Sequence, residues 1–204
     1  QLAQKMDEAE IADWALPFNS EFGGVIRGEA LQKYVHKLLN GRTIEQLQKP
    51  LGIVATELNS GKGVLFRYGD TSQAVRASSS IPGVFQPTFI AGKAYVDGGL
   101  VAPVPVRFAR DMGATFVIAV NISAEASMLQ PVRGLTGAVL KSTAIMGQTI
   151  NQYELAQADI VIRPYLETMS SSDFQQRNMA IAAGEKAMLE KLPELLEKLN
   201  KNKK

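Results

Sequence analysis

Between Thr115 and Asn121 the chain reads Thr115-Phe116-Val117-Ile118-Ala119-Val120-Asn121, apolar at every position between its two polar ends. A strand with one face in water alternates polar and apolar side chains. A strand without that alternation needs cover on both faces, as in parallel sheets flanked by helices. The run therefore predicts a central strand in a layered fold. Other segments fit around it. Residues 51–58 read as a buried strand, joined through Asn59-Ser60-Gly61-Lys62-Gly63 to a second strand at 64–68. Thr88–Ile90 and residues 93–96 form a small hairpin about Ala91-Gly92 that ends at Asp97. A strand at 159–163 is halted by Pro164. Helices are expected at 28–40, with Leu31, Val35, Leu38 and Leu39 inward and Asn40-Gly41 as the stop, and at 71–79, 103–112 and 135–157. A first helical stretch ends near Trp14, and a last helix follows Ser170-Ser171-Ser172-Asp173 and restarts at Pro193. Strands alternating with helices predict an α/β fold, a three-layer α/β/α arrangement with a mainly parallel central sheet.

With 204 residues, 46% of them hydrophobic and 21% charged, the chain fits a single soluble-type domain. A net charge of +2 and the lack of a basic, aromatic-interleaved stretch argue against nucleic acid as a partner. No cysteine is present, so neither disulfides nor thiolate metal sites are available. No apolar run reaches the ~18 residues of a membrane span. At the start, Leu2, Met6 and Ala9 share a helical face with no capping residue before them. That predicts an N-terminally incomplete domain, 1–204, whose first strand–helix units lie upstream. Lys198, Lys201, Lys203 and Lys204 mark 198–204 as a basic tail, solvated and frayed, with anionic headgroups as the alternative partner.

One carboxylate stands out. Tyr95-Val96-Asp97-Gly98-Gly99-Leu100 sets Asp97 at the end of an apolar strand, on a turn of two glycines. Asp-Gly-Gly alone is a turn signal, since Asp bonds nearby backbone and glycine accepts positive φ. At the end of a buried strand, the same carboxylate can act as a general base. His36, the only histidine, sits roughly opposite the Leu31/Val35/Leu38 face and reads as a surface residue, so a Ser–His–Asp relay has no imidazole here. No His-Glu-x-x-His or paired-Asp spacing suggests a metal. Ser78, Ser79 and Ser80 lack the Gly-x-Ser-x-Gly elbow and read as the end of a short helix, their hydroxyls on local backbone. Gly61-Lys62-Gly63 is a turn without P-loop spacing, and no Gly-x-Gly-x-x-Gly unit supports a nucleotide-binding module.

Ala77-Ser78-Ser79-Ser80-Ile81-Pro82-Gly83-Val84-Phe85-Gln86-Pro87, followed by Tyr95-Val96-Asp97-Gly98-Gly99, resembles the patatin-like phospholipases from about Gly28 to Asn121. The resemblance implies a lipid acyl hydrolase working through a Ser–Asp dyad, with Asp97 as the base and Gly98 and Gly99 as its motif turn. It implies a pocket wall built from Ser78, Ser79, Ser80, Pro82 and Phe85. The family's glycine-rich oxyanion loop and its Gly-x-Ser-x-Gly serine lie upstream of these motifs, and neither occurs in this chain. The expected partners are a lipid or acyl-ester substrate, a membrane surface touched peripherally, and the N-terminal segment of the same protein. No cofactor is expected. The implied compartment is the cell envelope or periplasm, with the cytoplasm as the alternative. The other functional reading is a non-catalytic fragment or partner-binding scaffold.

Overall fold

The computed structural model describes Asp13 and residues 24–123, 134–166 and 174–201. Apart from Asp13, the helical stretch expected up to Trp14 lies outside these, as do the Ser170–Asp173 cap, Lys203 and Lys204.

Helix α1 (Glu29–Leu38) has no cap of its own at Gly28. The carboxylate of Asp13 takes that role from 15 residues upstream, accepting from the N–H groups of Gly28, Glu29 and Ala30 at 2.7, 2.9 and 3.2 Å. Asn40 (φ 51°) and Gly41 (φ 69°) follow the helix end in left-handed conformations. The apolar face is less buried than its spacing implies. No α1 residue is fully covered and Leu38 is 42% exposed, because the helix lies on the outside and packs chiefly on α2 (Thr71–Ser78).

Strands β1 (Ile53–Glu57), β2 (Gly63–Phe66), β3 (Thr88–Ile90) and β4 (Lys93–Asp97) form one sheet in the order β2-β1-β4-β3. All three pairings are antiparallel. The α/β class holds, but this sheet is not parallel as expected. The links at 58–62 and 91–92 are too short for the crossover that parallel strands require, so each reverses the chain. The second is a two-residue turn with Ala91 at φ 50° and Gly92 at φ 78°. Helix α2 is capped by Asp70, whose carboxylate accepts from Ser72 and Gln73 N–H. It lays Ala74 and Ala77 on the face made by Ile53, Ala55, Phe66 and Tyr95. Phe66 and Tyr95 meet edge-on with ring centroids 5.2 Å apart. On the opposite face, α3 (Val106–Asp111) brings Phe108 against Gly63, and the following Met112 reaches Gly52.

The parallel element is a separate pair, β5 (Ile118–Val120) and β6 (Ile160–Ile162), connected through α4 (Gly134–Leu155). Val117 and Ala119 join Val104, Val106 and Leu155 in one cluster. Ile160 and Ile162 form another with Ala187 and Leu195 of α5 (Arg177–Lys201). The cover expected on both faces of the 115–121 strand is half present. The register sets Ile118 opposite Ile160 and Val120 opposite Ile162, so these four share a face. Helix α5 covers the β6 half of it and leaves Ile118 44% and Val120 51% exposed. Helix α5 also continues through Pro193 instead of restarting there, and it runs to Lys201. Lys198 donates to the Asp159 carbonyl at 2.7 Å and Lys201 pairs with Glu197, so within the described residues the expected basic tail is ordered helix. No described helix is long and apolar enough to cross a membrane.

Candidate active site

Asp97 is the last residue of β4, and its main chain is tied from two elements. Its N–H donates to the Ser80 carbonyl at 2.9 Å, and its carbonyl accepts the Thr56 hydroxyl at 2.8 Å. The side chain is half-buried at the end of the central strands. Oδ1 accepts the Gly99 N–H at 2.6 Å, so Asp97 caps the 3-10 turn Gly98–Leu100 that follows it. Burial pushes the carboxyl pKa up, opposed in part by the Gly99 N–H. Among the described residues no lysine or arginine offsets that burial. A carboxylate with a raised pKa holds a proton more readily than an ordinary aspartate, which is the property a general base needs.

The two glycines matter for a reason other than the expected one. Neither adopts a positive φ. What they supply is closeness. A Cβ on Gly98 would stand 2.1 Å from the Val54 carbonyl oxygen, and one on Gly99 would stand 2.8 Å from Asp97 Oδ1. The turn is therefore pressed onto β1 on one side and onto the carboxylate on the other.

The expected wall residues divide. Ser78 closes α2 and Ser79 is its C-terminal cap, both half-buried. Ser80 is brought directly to Asp97 by the main-chain bond. Its hydroxyl, 1% exposed with its residue, donates to the Arg76 carbonyl at 2.8 Å and lies 3.1 Å from the Thr88 hydroxyl. That is a structural use, in line with the helix-end reading. Pro82 sits in a turn where Val84 and Phe85 N–H both bond to the Ile81 carbonyl. Phe85 pairs with Ile26 through a parallel bridge and turns its ring toward Gly28 at the start of α1. His36 is on the exposed side of α1, where it borders an open depression of about 650 Å³ with Asp70, Lys33 and Arg76. Another depression of about 470 Å³, lined by Val54, Leu65, Phe108 and Met112, lies on the α3 face of the sheet. Asp97 lines neither.

Two residues near the turn escaped the sequence reading. Glu154 of α4, 2% exposed, accepts the backbone N–H of Arg107 at 2.9 Å and pairs with its guanidinium. Arg107 also donates from Nη2 to the Val101 carbonyl at 3.0 Å. The two are 47 positions apart and share no local pattern. The one available signal was a carboxylate set between Tyr153 and Leu155, inside a helix otherwise poor in charge.

The sequence model of the Patatin-like phospholipase family matches residues 4–110. An uncharacterized NTE family protein of Mycobacterium bovis is 37% identical over 100 residues, covering 49% of this chain and 28% of that protein. Another from Mycobacterium tuberculosis is 25% identical over 213 residues, covering 91% of this chain and 36% of that protein. The patatin-like phospholipase domain-containing protein 6 of Mus musculus is 28% identical over 117 residues, 56% of this chain and 8% of its own length. The chain thus spans at most 36% of the length of any of these three.

Proposed function

Because this chain belongs to the patatin-like phospholipase family, we propose that it is the aspartate-bearing part of a lipid acyl hydrolase that uses a Ser–Asp dyad. The observation that carries the reading is Asp97 itself: a carboxylate at a strand end, raised in pKa by burial and fixed through its own main chain. The substrate class is a carboxylic ester of a phospholipid or another lipid acyl ester, met at a lipid surface. The nucleophile is a serine of the intact polypeptide outside the stretch Ser78, Ser79 and Ser80. The Ser80 hydroxyl is committed to Arg76 and Thr88, which supports looking elsewhere.

In the first half-reaction the serine hydroxyl gives its proton to Asp97 as its oxygen attacks the ester carbonyl carbon. Backbone amides hold the negative charge that forms on the carbonyl oxygen. Collapse of that intermediate breaks the ester C–O bond, and Asp97 returns the proton to the departing alcohol. In the second half, water attacks the acyl-serine while Asp97 takes its proton. The fatty acid leaves and the proton returns to the serine oxygen. One carboxylate thus serves as base and acid in turn, which suits a pKa above the ordinary aspartate range.

The test is hydrolysis of a soluble short-chain acyl ester by the intact protein. Asp97→Asn keeps the size of the side chain and an oxygen for the Gly99 N–H, but it cannot accept a proton. Loss of the base is expected to lower turnover by about 10²-fold or more. His36→Ala, on the far side of α2, is expected to leave turnover unchanged. Near-parental hydrolysis by Asp97→Asn would overturn the assignment, and covalent labelling of Ser78, Ser79 or Ser80 by a fluorophosphonate would move the nucleophile into this chain.

A further inference from the structure

Asp97 is held firmly from the sheet side by Ser80, Thr56 and the close approach of Gly98 to Val54. On the other side, the turn that aims its carboxylate needs a fixed point as well. Val101 ends that turn: the N–H groups of Val101 and Ala102 both donate to the Gly98 carbonyl, at 3.1 and 2.9 Å. The Val101 carbonyl in turn accepts from Arg107 Nη2 at 3.0 Å. Arg107 is held at several points. Its guanidinium pairs with Glu154, its backbone N–H donates to the same carboxylate, and its Cζ lies 4.7 Å from the centre of the Phe108 ring.

We infer that the Arg107–Glu154 pair is a positioning device for Asp97, fixing the Gly98–Leu100 turn through the Val101 carbonyl. The inference rests on the general-base reading of Asp97. Glu154 is nearly sealed from water, and a buried carboxylate is retained at a considerable desolvation penalty unless it is paired. Arg107 meets that need with a forked group, one arm on Glu154 and the other on the main chain after the turn. The result is a rigid link from α4 to the segment that carries the carboxylate, three residues beyond Gly98.

Arg107→Lys in the intact protein separates the two arms. A single ammonium keeps the charge beside Glu154 but cannot also reach the Val101 carbonyl in the same geometry. A misplacement of the catalytic group on the order of 1 Å lowers rate by up to about 10²-fold. The expected result is a 10–100-fold fall in kcat with KM unchanged, together with faster amide hydrogen exchange confined to Val101 and Ala102. Glu154→Gln, which keeps the volume and one acceptor oxygen, serves as the second variant and is expected to move both readouts the same way, by less. The proposal is overturned if a folded variant retains parental kcat, or if exchange accelerates throughout the chain instead of at the turn. Asp97→Asn in the same assay keeps the two readings apart. If that variant is active, the general-base assignment fails, while the exchange data still report whether the pair holds the turn. If it is inactive and Arg107→Lys is fully active, only the positioning role fails.

Discussion

Replacing Gly98 by alanine tests whether the approach of the Asp97 turn to β1 is what places the carboxylate. The added Cβ would stand 2.1 Å from the Val54 carbonyl oxygen and 2.8 Å from its carbonyl carbon. Both are main-chain atoms of a strand paired on either side, by β2 and by β4, so Val54 has little room to yield. The end of β4 must retreat instead, by roughly 1 Å to restore ordinary contact, a displacement of the size that costs about 10²-fold in rate. Overpacking of this kind destabilises by about 1–3 kcal/mol, and each kcal/mol lowers Tm by about 2–4 °C in a domain of this size. Gly99→Ala is the matched comparison. Its Cβ would meet the tip of the Asp97 side chain at 2.8 Å and no main-chain atom beyond its own turn within 4 Å, so the carboxylate is displaced while the sheet is not. Ester hydrolysis by the intact protein and thermal unfolding followed by circular dichroism read the two effects. Gly98→Ala is expected to lose both turnover and Tm, and Gly99→Ala mainly turnover. A Gly98→Ala protein with reduced Tm and parental kcat would refute the link between this contact and the chemistry.

Asp97→Asn is also expected to make the protein more stable at neutral pH. Burial raises the folded-state pKa of Asp97, so the folded form binds the proton more tightly than the unfolded chain. The stability of the parent therefore falls as pH rises from the ordinary aspartate pKa through the folded one, and the uncharged amide removes this loss above that window; denaturant unfolding at acidic and neutral pH measures it. Asp70→Ala removes the cap of α2 and should cost about 0.5–2 kcal/mol. Burial pushes the Asp70 pKa up, but the bonds from Ser72 and Gln73 together outweigh it and hold the pKa below its usual value. Its contribution is present above the ordinary aspartate pKa and lost as pH falls through the lowered one, so the difference between parent and Asp70→Ala in urea titrations should shrink in acid. Ala91→Asn should raise stability by about 1 kcal/mol, because Ala91 holds a left-handed conformation that asparagine tolerates better; an unchanged urea midpoint would contradict this.

Most local structure could be read from the residues. Ala91-Gly92 marked a two-residue reversal, 71–79 read as a short helix, and the apolar run before Asp97 put that carboxylate at a strand end. Strand direction could not be read in the same way. An apolar run such as 53–55 buries equally well in a parallel or an antiparallel sheet. Short links set the direction within the pairs β1–β2 and β3–β4, but not between β1 and β4, which lie far apart in the chain. The glycines after Asp97 were legible as a turn, but not as a contact with Val54, a residue more than forty positions away in the chain. The Arg107–Glu154 pair was invisible for the same reason: its meaning depends on α4 crossing the turn, and no spacing within either helix records that.

The bare half of β5 bears on how a solution of this chain by itself behaves. Ile118, Val120 and, just beyond them, Ile122 at 67% exposure present consecutive apolar side chains on and after a strand paired on only one side among the described residues. A net charge of +2 supplies little repulsion between molecules. Apolar contact strengthens with warming from the cold and with sulfate, and weakens in urea. These side chains therefore form an apolar edge through which isolated chains can associate without unfolding, and turbidity should rise with ammonium sulfate at protein concentrations where the fold itself is intact.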